Sequence, residues 1–537
     1  MADRDTSNLC VEIIRQHFGP LNAKVAEVLL HRGRLSLSHL VRFTGLKPRT
    51  VRACILVLVQ QNVLWHATEE DVEVFEVNTD ECLARTRFGT YVHLMEELYG
   101  QEAARIVTVV LEHGKLRPPD IMQLLSVDTK SHISHAQALH KLVSSAYLKP
   151  STLLSHKSPR DKIIEYETEE KAKLTGIPAA KELRQAREMA ELRFRREEEA
   201  AERIGMKRKA VDSGGKASKR SKHSDETAEI VDDEVHFRVN HDKFNVHIRN
   251  KIIVNAARER FNDGAAQVMQ AALKATEDKS RTVKDPRSDP MSVPDIIRYI
   301  TDEDALAAGL IMPSKKPKTP DIIQQYLHML AFHDNTTPAG LSSRFVALLG
   351  KKVQVEFDAI GARLRTRVLE AVARERHGNE GVRVLRLLLE TGKMDEKQIA
   401  KTAMMSAKDV RPLLSAMSAE SLVSLQEVPR TSDRNPTRTF YLWFVDLPKA
   451  YSVLLANLYK SLYNIHTRLR SEQEDQPLVQ AVLAKLDRED VTEDDLTRVD
   501  KELLAAWRDK RLKLTLLATR VEESVFILHD ITERVEE

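Results

Sequence analysis

Apolar residues recur at helical spacing along most of the chain, and three of these helical stretches end on one pattern. The pattern is two apolar residues, two polar residues, a glycine, a basic residue and an apolar residue. It reads LLHRGRL from Leu29, VLEHGKL from Val110 and LLETGKM from Leu388. Glycine readily takes the left-handed backbone conformation that follows many helices. Each copy therefore predicts a helix that ends at the glycine and a short strand after it.

The same succession of elements follows each of the three glycines. A short apolar helix and a turn lead into a longer helix, which exits into a pair of apolar residues. The predicted long helices are residues 49–61, 131–145 and 407–421. The second residue of the apolar pair lies 31, 34 and 31 residues after its glycine, at Leu64, Leu148 and Val423. This regularity predicts three copies of one domain type.

Each long helix is followed by two strand-like runs with a polar, turn-rich stretch between them. The predicted strand pairs are residues 64–66 with 72–77, 148–154 with 162–167, and 422–428 with 438–445. Polar clusters between β-rich runs are typical of hairpins. Helix, short strand, two helices and a hairpin, in this order, predict a winged helix, which is a helix-turn-helix domain with an appended hairpin.

A fourth, degenerate copy is predicted between the second and third glycine-marked copies. Helical patterns occupy residues 252–275, 293–300 and 321–332, and residues 352–357 alternate as a wing strand should. Thr319 and Pro320 form an N-cap followed by proline at the first helical position. The marker glycine is missing, so this copy rests on the helices and the strand alone.

A charged segment separates the second and the degenerate copies. Residues 181–203 interleave Glu and Arg and predict a solvated single helix. Residues 207–223 hold seven Lys and Arg against one Asp, a composition that predicts a disordered tether. Two basic clusters within it are spaced like a bipartite nuclear-import signal: Lys207, Arg208, Lys209, Lys219, Arg220 and Lys222. The alternative is a solubilising linker.

The C-terminal part changes to a heptad pattern. Leu458, Leu462, Ile465 and Leu469 are followed later by a second seam with steps of three and four residues: Leu514, Leu517, Val521, Ser524, Leu528, Ile531 and Val535. An acidic connection with one short apolar helix, residues 478–486, lies between the two seams. We therefore expect an antiparallel helical hairpin with an exposed flank.

The predicted fold class is mainly α with small β-hairpins: four tandem winged-helix domains plus a C-terminal antiparallel coiled-coil hairpin. The predicted boundaries are 1–79 for winged helix 1, 80–170 for winged helix 2, 171–235 for the charged helix and disordered basic linker, 236–357 for the degenerate winged helix 3, 358–446 for winged helix 4, and 447–537 for the hairpin.

The amino-acid composition agrees with a mostly helical protein and excludes some classes of protein. Gly (18) and Pro (19) are scarce for 537 residues, which favours helices over loops. The net charge is only +3 although 30% of the residues are charged, which excludes a uniformly basic coat but not local basic patches. Three widely spaced cysteines predict neither a disulfide framework nor a four-cysteine zinc site. No signal segment or membrane span is expected.

No catalytic motif is found. The chain lacks a glycine-rich phosphate loop, and its best metal-like pair, His132 and His135, has no further ligand at zinc spacing. We expect this pair to lie on the exposed side of a recognition helix. The sequence therefore predicts a binding or assembly protein, not an enzyme, with no cofactor, no metal and no small-molecule substrate.

Winged helices place their third helix and wing near DNA, and basic residues at these places are candidate phosphate contacts. The candidates are Lys47, Arg49, Arg52, Lys130, His156, Lys157, Arg160, Lys162, Lys315, Lys316, Lys408, Arg411, Arg430, Arg434 and Arg438. The alternative for the wing tips is a plain solvated face. Sequence-specific readout is not expected, because few of the neighbouring residues are base-reading Asn, Gln or Arg.

One recognition helix carries a feature that argues for a protein partner instead. Residues 53–59 of winged helix 1 form an almost continuous apolar run. A helix that is apolar on nearly all sides is usually covered by protein. We therefore expect at least one winged helix to serve protein–protein docking.

The arrangement resembles the third-largest subunit of eukaryotic RNA polymerase III. Residues 26–37, AEVLLHRGRLSL, and 51–62, VRACILVLVQQN, are similar to the opening domain of that family, as is RTRFG from Arg85. The domain type is shared with the alpha subunit of general transcription factor IIE, but this chain has no cysteines for the zinc ribbon of that relative. The resemblance covers essentially the whole chain and rests on the order of the domains.

The resemblance implies a nuclear, non-catalytic subunit of DNA-directed RNA polymerase III. The family's subunit joins two smaller polymerase III-specific subunits in a peripheral subcomplex on the clamp of the largest subunit. It supports promoter-dependent initiation and open-complex formation on genes for tRNA, 5S rRNA and other small RNAs, and would hold non-specific DNA near the transcription bubble. The alternatives are an autonomous winged-helix DNA-binding regulator and a purely protein-binding scaffold.

Overall fold

The chain divides into two compact units, residues 1–244 and 245–537, in the computed structural model. The structure describes residues 3–69, 72–125, 129–173, 179–208, 229–300, 306, 309–310, 318–331, 344–350, 352–429, 439–487 and 496–531. The boundary between the units falls within one helix, residues 241–260.

Winged helix 1 opens the first unit. Its elements are α1 (Arg4–Phe18), α2 (Pro20–Arg32), β1 (Leu35–Ser36), α3 (Leu37–Thr44), α4 (Pro48–Gln60), β2 (Leu64–Glu69) and β3 (Val72–Val77). Helix α2 ends at Gly33 with φ +82°, which confirms the first predicted helix end. The apolar faces of α1, α2 and α4 meet in a core that contains Ile13, Leu29 and Leu58, all almost fully buried.

Winged helix 2 follows, and its wing differs from the predicted one. Its elements are α5 (Thr79–Ala84), α6 (Phe88–Tyr99), α7 (Gln101–His113), α8 (Pro118–Leu125), α9 (Thr129–Ser144) and β4 (Leu148–Pro150). Residues 162–167 were expected to pair with this strand but belong to helix α10 (Pro159–Ala172). The partner of β4 is β7 (Phe237–Val239), with Leu148 opposite Val239. Phe237 also bridges to Leu116, which closes the sheet.

The segment between these two strands is more ordered than the sequence indicates. Helix α11 (Ala180–Glu202) is not a lone solvated helix, because it packs against α10. Ala190 is fully buried, and Arg193 forms an ion pair with Glu169 at 2.6 Å. Strands β5 (Met206–Arg208) and β6 (Glu229–Val231) pair, so the start of the expected tether is a strand. Short 3₁₀ turns occupy Leu153–His156 and Arg203–Gly205.

Winged helix 3 forms the first part of the second unit. It contains α12 (His241–Arg260, whose first residues belong to the first unit), α13 (Asp263–Thr276), β8 (Met291–Ser292), α14 (Val293–Ile297), α15 (Thr319–Ala331), β9 (Val346–Leu349) and β10 (Lys352–Val355). The predicted helices 293–300 and 321–332 and the predicted strand 352–357 are confirmed within three residues at each end. The predicted helix 252–275 is two helices, because Asn262 caps a new one.

Winged helix 4 starts in the long helix α16 (Phe357–Thr391), which is interrupted at Gly378 with φ +68°. Its second half ends at Gly392, as the repeat predicts. The remaining elements are β11 (Met394–Asp395), α17 (Glu396–Thr402), α18 (Ala407–Ala419), β12 (Ser424–Pro429) and β13 (Thr439–Phe444).

Three C-terminal helices complete the chain: α19 (Leu447–Glu474), α20 (Pro477–Leu486) and α21 (Arg498–His529). Helices α19 and α21 run antiparallel, because Leu454 shares a core cluster with Leu528 while Glu472 contacts Lys510 at 3.4 Å near the other end. Among the described seam residues Leu517 is misplaced, since it is exposed, and Val535 lies outside the described residues.

The end of α21 is built into both domains of the second unit. Phe526, Ile527 and Ile531 lie in the core of winged helix 3, whereas Leu528 lies in the core of winged helix 4. The helix turns consecutive residues toward different neighbours, so one turn of α21 contributes to two cores.

One sheet order recurs in the four domains. Domains 1, 3 and 4 have the strand orders β1-β3-β2, β8-β10-β9 and β11-β13-β12. In domain 2, Leu116 and β4 flank β7 in the same order. The predicted fold class, mainly α with small β-hairpins, is therefore confirmed, whereas the predicted domain boundaries stay a prediction.

Candidate nucleic-acid and protein interface

The N-terminal turn of α4 presents the first group of predicted phosphate contacts. Lys47 is the N-cap residue and is exposed, as are Arg49 and Arg52. None of the three forms an ion pair within the part of the chain that the structure describes. A helix N-terminus with unpaired cations is well suited to an anionic partner.

The second half of α4 is apolar on the outside as well as on the inside. Val51, Cys54, Ile55 and Leu58 face the core. Leu56 faces outward and is 71% exposed. The exposed Leu56 face agrees with the expectation that at least one winged helix serves protein–protein docking, which stays a prediction.

The C-terminal end of α4 is joined to the C-terminal end of α7 in winged helix 2. Gln60 Nε2 donates to the Lys115 carbonyl at 2.7 Å, and Gln61 Nε2 donates to the Glu112 carbonyl at 2.7 Å. Lys115 Nζ returns a hydrogen bond to the Val59 carbonyl at 2.8 Å. The last carbonyls of a helix need such donors, and here each helix end supplies them to the other.

Gly114 lies at the centre of this junction and ends α7 with φ +80°. A Cβ atom at this position would overlap the Gln60 carbonyl oxygen and lie 2.9 Å from the Cα of Gln61. The glycine that the repeat marks as a helix end is thus also required by the close approach of two domains.

The predicted contacts of winged helix 2 fall into two groups. Lys157 and Arg160 are exposed, and Lys157 lies 3.9 Å from Glu165. Lys162 was predicted as a wing-tip contact, but its side chain is buried. It is the fourth residue of α10, and the helix turns it inward. Lys130 lies on α9, and its side chain is outside the described residues.

His156 is also not a wing-tip contact. It is half-buried on the 3₁₀ turn, and its ring nitrogens lie 3.4 Å from Lys115 Nζ. Burial, together with smaller effects of the nearby Lys115, His66 and Arg238, lowers the pKa of His156 to about 4. A neutral imidazole carries no charge that would attract a phosphate, so its burial and lowered pKa disfavour His156 as a phosphate contact.

This histidine makes the first unit sensitive to acid. The pKa of His156 is about 4 in the folded chain, below its ordinary 6.5, so the unfolded chain binds the proton more readily. Its contribution to stability is complete above pH 6.5 and is lost as the pH falls toward 4. We expect His156→Gln to lessen the loss of stability between pH 7 and 5 by about 1 kcal/mol, allowing for partial exposure. Urea unfolding at the two pH values measures this, and an unchanged difference would contradict it.

The predicted contacts in the second unit are mostly outside the described residues. Lys315, Lys316, Arg430, Arg434 and Arg438 all belong to that group. Lys408 and Arg411 lie on the recognition helix α18 and are exposed. Arg411 is paired with Glu396 at 3.1 Å, which leaves Lys408 as the better anion contact.

The predicted nuclear-import signal is described only at its start. Lys207 lies on β5 and forms an ion pair with Asp232 at 2.8 Å, and Arg208 follows it on the strand. Lys209, Lys219, Arg220 and Lys222 are outside the described residues. The import signal stays a prediction.

The histidine pair on α9 does not form a metal site in the described part of the chain. His132 is exposed, but His135 is buried and forms an ion pair with Glu102 of α7. The expectation that both lie on the exposed side of the helix is therefore wrong for His135. Within the described ranges, no group of three or more His, Cys, Asp or Glu residues could hold a metal ion, and no helix is long and apolar enough to cross a membrane.

Comparison with known proteins finds family matches in both units of the chain. A model of the RNA polymerase III subunit RPC82 helix-turn-helix domain matches residues 8–67, one of RNA polymerase III subunit RPC82 matches residues 137–336, and one of the POLR3C C-terminal winged-helix domain matches residues 369–445. The chain belongs to the RPC82/RPC3 family of RNA polymerase III subunits.

Full-length relatives agree with this family. DNA-directed RNA polymerase III subunit RPC-3 of Coccidioides immitis is 26% identical, over 98% of this chain and 99% of the relative. The subunits named RPC3 of Mus musculus and Homo sapiens are each 25% identical, over 98% of both chains. The resemblance inferred from the repeat is thereby confirmed, and the RPC82/RPC3 domains match in the order in which the fold presents them.

Proposed function

We propose that the chain is a non-catalytic subunit of nuclear RNA polymerase III that supports promoter-dependent initiation and open-complex formation. The observation that carries the proposal is the set of three RNA polymerase III family matches, at residues 8–67, 137–336 and 369–445, which follow one another along the winged-helix part of the chain. The partner is the RNA polymerase III complex. Within it, we place the chain in a peripheral subcomplex on the clamp of the largest subunit, with two smaller polymerase III-specific subunits.

The proposed contact with DNA runs through phosphates near the transcription bubble. Exposed cations support it at two recognition helices and at the start of α10: Lys47, Arg49, Arg52, Lys157, Arg160 and Lys408. The outward face of α4 continues into Leu56 and Val57, which offer no hydrogen bonds to base edges. Such a surface holds DNA of any sequence and weakens with salt.

Affinity purification tests the assembly. The full chain, tagged and expressed in cells, should recover the RNA polymerase III subunits from nuclear extract in stoichiometric amounts. A chain with both halves intact that recovers no polymerase subunit would contradict the proposal. A second experiment selects the duplexes that the chain binds from random-sequence DNA. Strong enrichment of one sequence would favour an autonomous DNA-binding regulator instead.

Charge reversal on α4 tests the DNA contact. We expect Lys47→Glu, Arg49→Glu and Arg52→Glu together to reduce the slope of log affinity against log salt by about 2 to 3 for polymerase on duplex DNA, since each lost phosphate contact removes about 0.9. The matched control reverses three exposed cations on α1 and α2 of the same domain, Arg4, Arg15 and Lys24. Equal slopes for the two triple variants would remove α4 from the DNA contacts.

A purely protein-binding scaffold is the second candidate, and the exposed Leu56 favours it. If the α4 reversal leaves the salt slope and open-complex formation unchanged but releases another subunit, the helix serves protein docking. The α4 reversal and its control therefore distinguish the two candidate functions.

A further inference from the structure

The wing of winged helix 4 is packed at its base but has only two strands in its outer half, residues 425–429 with 439–441. Trp443 and Val445 pack against the core of the domain, and β11 pairs with β13 only at Trp443 and Leu442. From Tyr441 back to Thr439, β13 pairs with β12 alone in the described part of the domain. A two-stranded ribbon by itself is only marginally stable in water, so the outer half depends on what covers it.

The outer half of this wing exposes large apolar side chains on both of its faces. Val428 lies opposite Phe440, so these two side chains share one face, and they are 38% and 45% exposed. Leu425 lies opposite Trp443, two residues from Tyr441, so Leu425 and Tyr441 share the other face, where they are 41% and 37% exposed. Apolar residues on both faces are typical of strands that are covered on both faces.

The wing of winged helix 1 shows that this surface is not a general property of the domain type. Its strands β2 and β3 also have six residues each, but they carry Glu69, Glu73 and Glu76. Val72 is the only large apolar residue on these strands that is described as exposed. Strands β12 and β13 carry one charged residue, Glu427, which is exposed and forms no ion pair in the described ranges. A contiguous exposed apolar surface of this kind marks an interaction site.

We propose that the wing of winged helix 4 inserts into an apolar protein cleft in the rest of RNA polymerase III, with a basic residue at the rim of the cleft. One side of the cleft covers Val428 and Phe440, and the other side covers Leu425 and Tyr441. The basic residue pairs with Glu427, the only charge on the two strands. The inference rests on the proposed function, since the cleft belongs to the assembled polymerase.

The chemistry of the two strands argues against other occupants. A nucleic acid needs cations for its phosphates, whereas the strands offer four large apolar side chains and the carboxylate of Glu427, which repels phosphate. This exclusion concerns the strands alone, since Arg430, Arg434 and Arg438 of the connecting stretch are outside the described residues. A second copy of this chain that packs face to face would cover one face and leave the other in water. Only a cleft with two apolar sides covers both.

Site-specific crosslinking from the two faces tests the insertion. The photoreactive residue p-benzoylphenylalanine replaces Phe440 in one full-length chain and Tyr441 in another, which keeps an aromatic ring at each position. Each chain is assembled into RNA polymerase III and irradiated, and the crosslinked peptides are sequenced by mass spectrometry. We expect an adduct from both positions, to two different segments of other polymerase subunits, because the two side chains point to opposite sides of the cleft. The free chain, irradiated at the same concentration, is the control and should form neither adduct.

A charge reversal tests the rim of the cleft. Glu427→Lys should reduce both adducts by about tenfold, because it places a cation against the basic residue of the partner. Glu73→Lys, at an exposed glutamate on the wing of winged helix 1, is the matched control and should leave them unchanged.

Several results would overturn the insertion. They are an adduct from only one of the two positions, adducts to DNA or to a second copy, adducts no stronger than those of the free chain, and equal yields for Glu427→Lys and Glu73→Lys. Failure of the proposed function differs from all of these, because no polymerase subunit would then be recovered with the chain.

Discussion

Alanine in place of Gly114 is expected to lower the free energy of unfolding of the first unit by about 3 to 5 kcal/mol. Two costs add. The backbone at φ +80° disfavours any residue with a side chain, and the new Cβ would overlap the Gln60 carbonyl oxygen. That carbonyl belongs to the end of α4, so the overlap can be removed only if the ends of α4 and α7 move apart. Chemical denaturation followed by circular dichroism measures the change in the unfolding free energy.

The matched control for this prediction is Gly89→Ala. Gly89 lies in α6 with ordinary helical geometry, and a Cβ added there would meet no atom within 4 Å. Alanine at this position should therefore be neutral or stabilise by up to about 1 kcal/mol. If Gly114→Ala also changes stability by less than about 1 kcal/mol, the junction of α4 and α7 does not hold the two winged helices as described.

Truncation of single side chains at the end of α21 is expected to destabilise two different domains. Phe526→Ala should cost about 3 to 5 kcal/mol and Leu528→Ala about 2 to 5 kcal/mol, because both side chains are almost fully buried and leave cavities. Phe526 lies in the winged helix 3 core and Leu528 in the winged helix 4 core. Hydrogen exchange should therefore rise in α13 and α15 for the first variant and in α18 for the second.

Leu516→Ala provides the control on the same helix. Its side chain is 52% exposed, so the free energy of unfolding should change by no more than about 0.5 kcal/mol. The same exchange pattern for Phe526→Ala and Leu528→Ala would contradict the assignment of the two side chains to separate cores.

Most of the fold could be predicted from the sequence, because the residues that end a helix locally lie where the folded domain also requires a helix to end. Gly33, Gly114 and Gly392 each end a helix, and the helix spacing after them follows the repeat. The wing of winged helix 2 could not be predicted in this way. Its second strand lies beyond two long helices, and strand pairing over that separation leaves no local pattern. Ser158 and Pro159 do indicate the start of α10, since Pro at the first helical position favours a helix there and not a strand.

The candidate site was predictable only in part. Lys47, Arg49 and Arg52 are exposed where a recognition helix should present them, since N-terminal position and charge are both readable from sequence. The exposure of Leu56 could not be predicted, because a continuous apolar run does not reveal which side of the helix faces solvent. The burial of Lys162 depends on how α10 packs on α11, which is a tertiary property.

The pairing of β4 with β7 has a consequence for synthesis on the ribosome. Pro150 is opposite Phe237, so the second domain lacks its central strand until the chain has grown by a further 87 residues. At about 5 to 20 residues per second this interval lasts roughly 4 to 17 seconds. Meanwhile the nascent chain exposes the unpaired edge of β4 and the apolar site that Phe237 later fills. The first winged helix can mature during elongation, whereas the second cannot complete its sheet until the inserted helices have emerged.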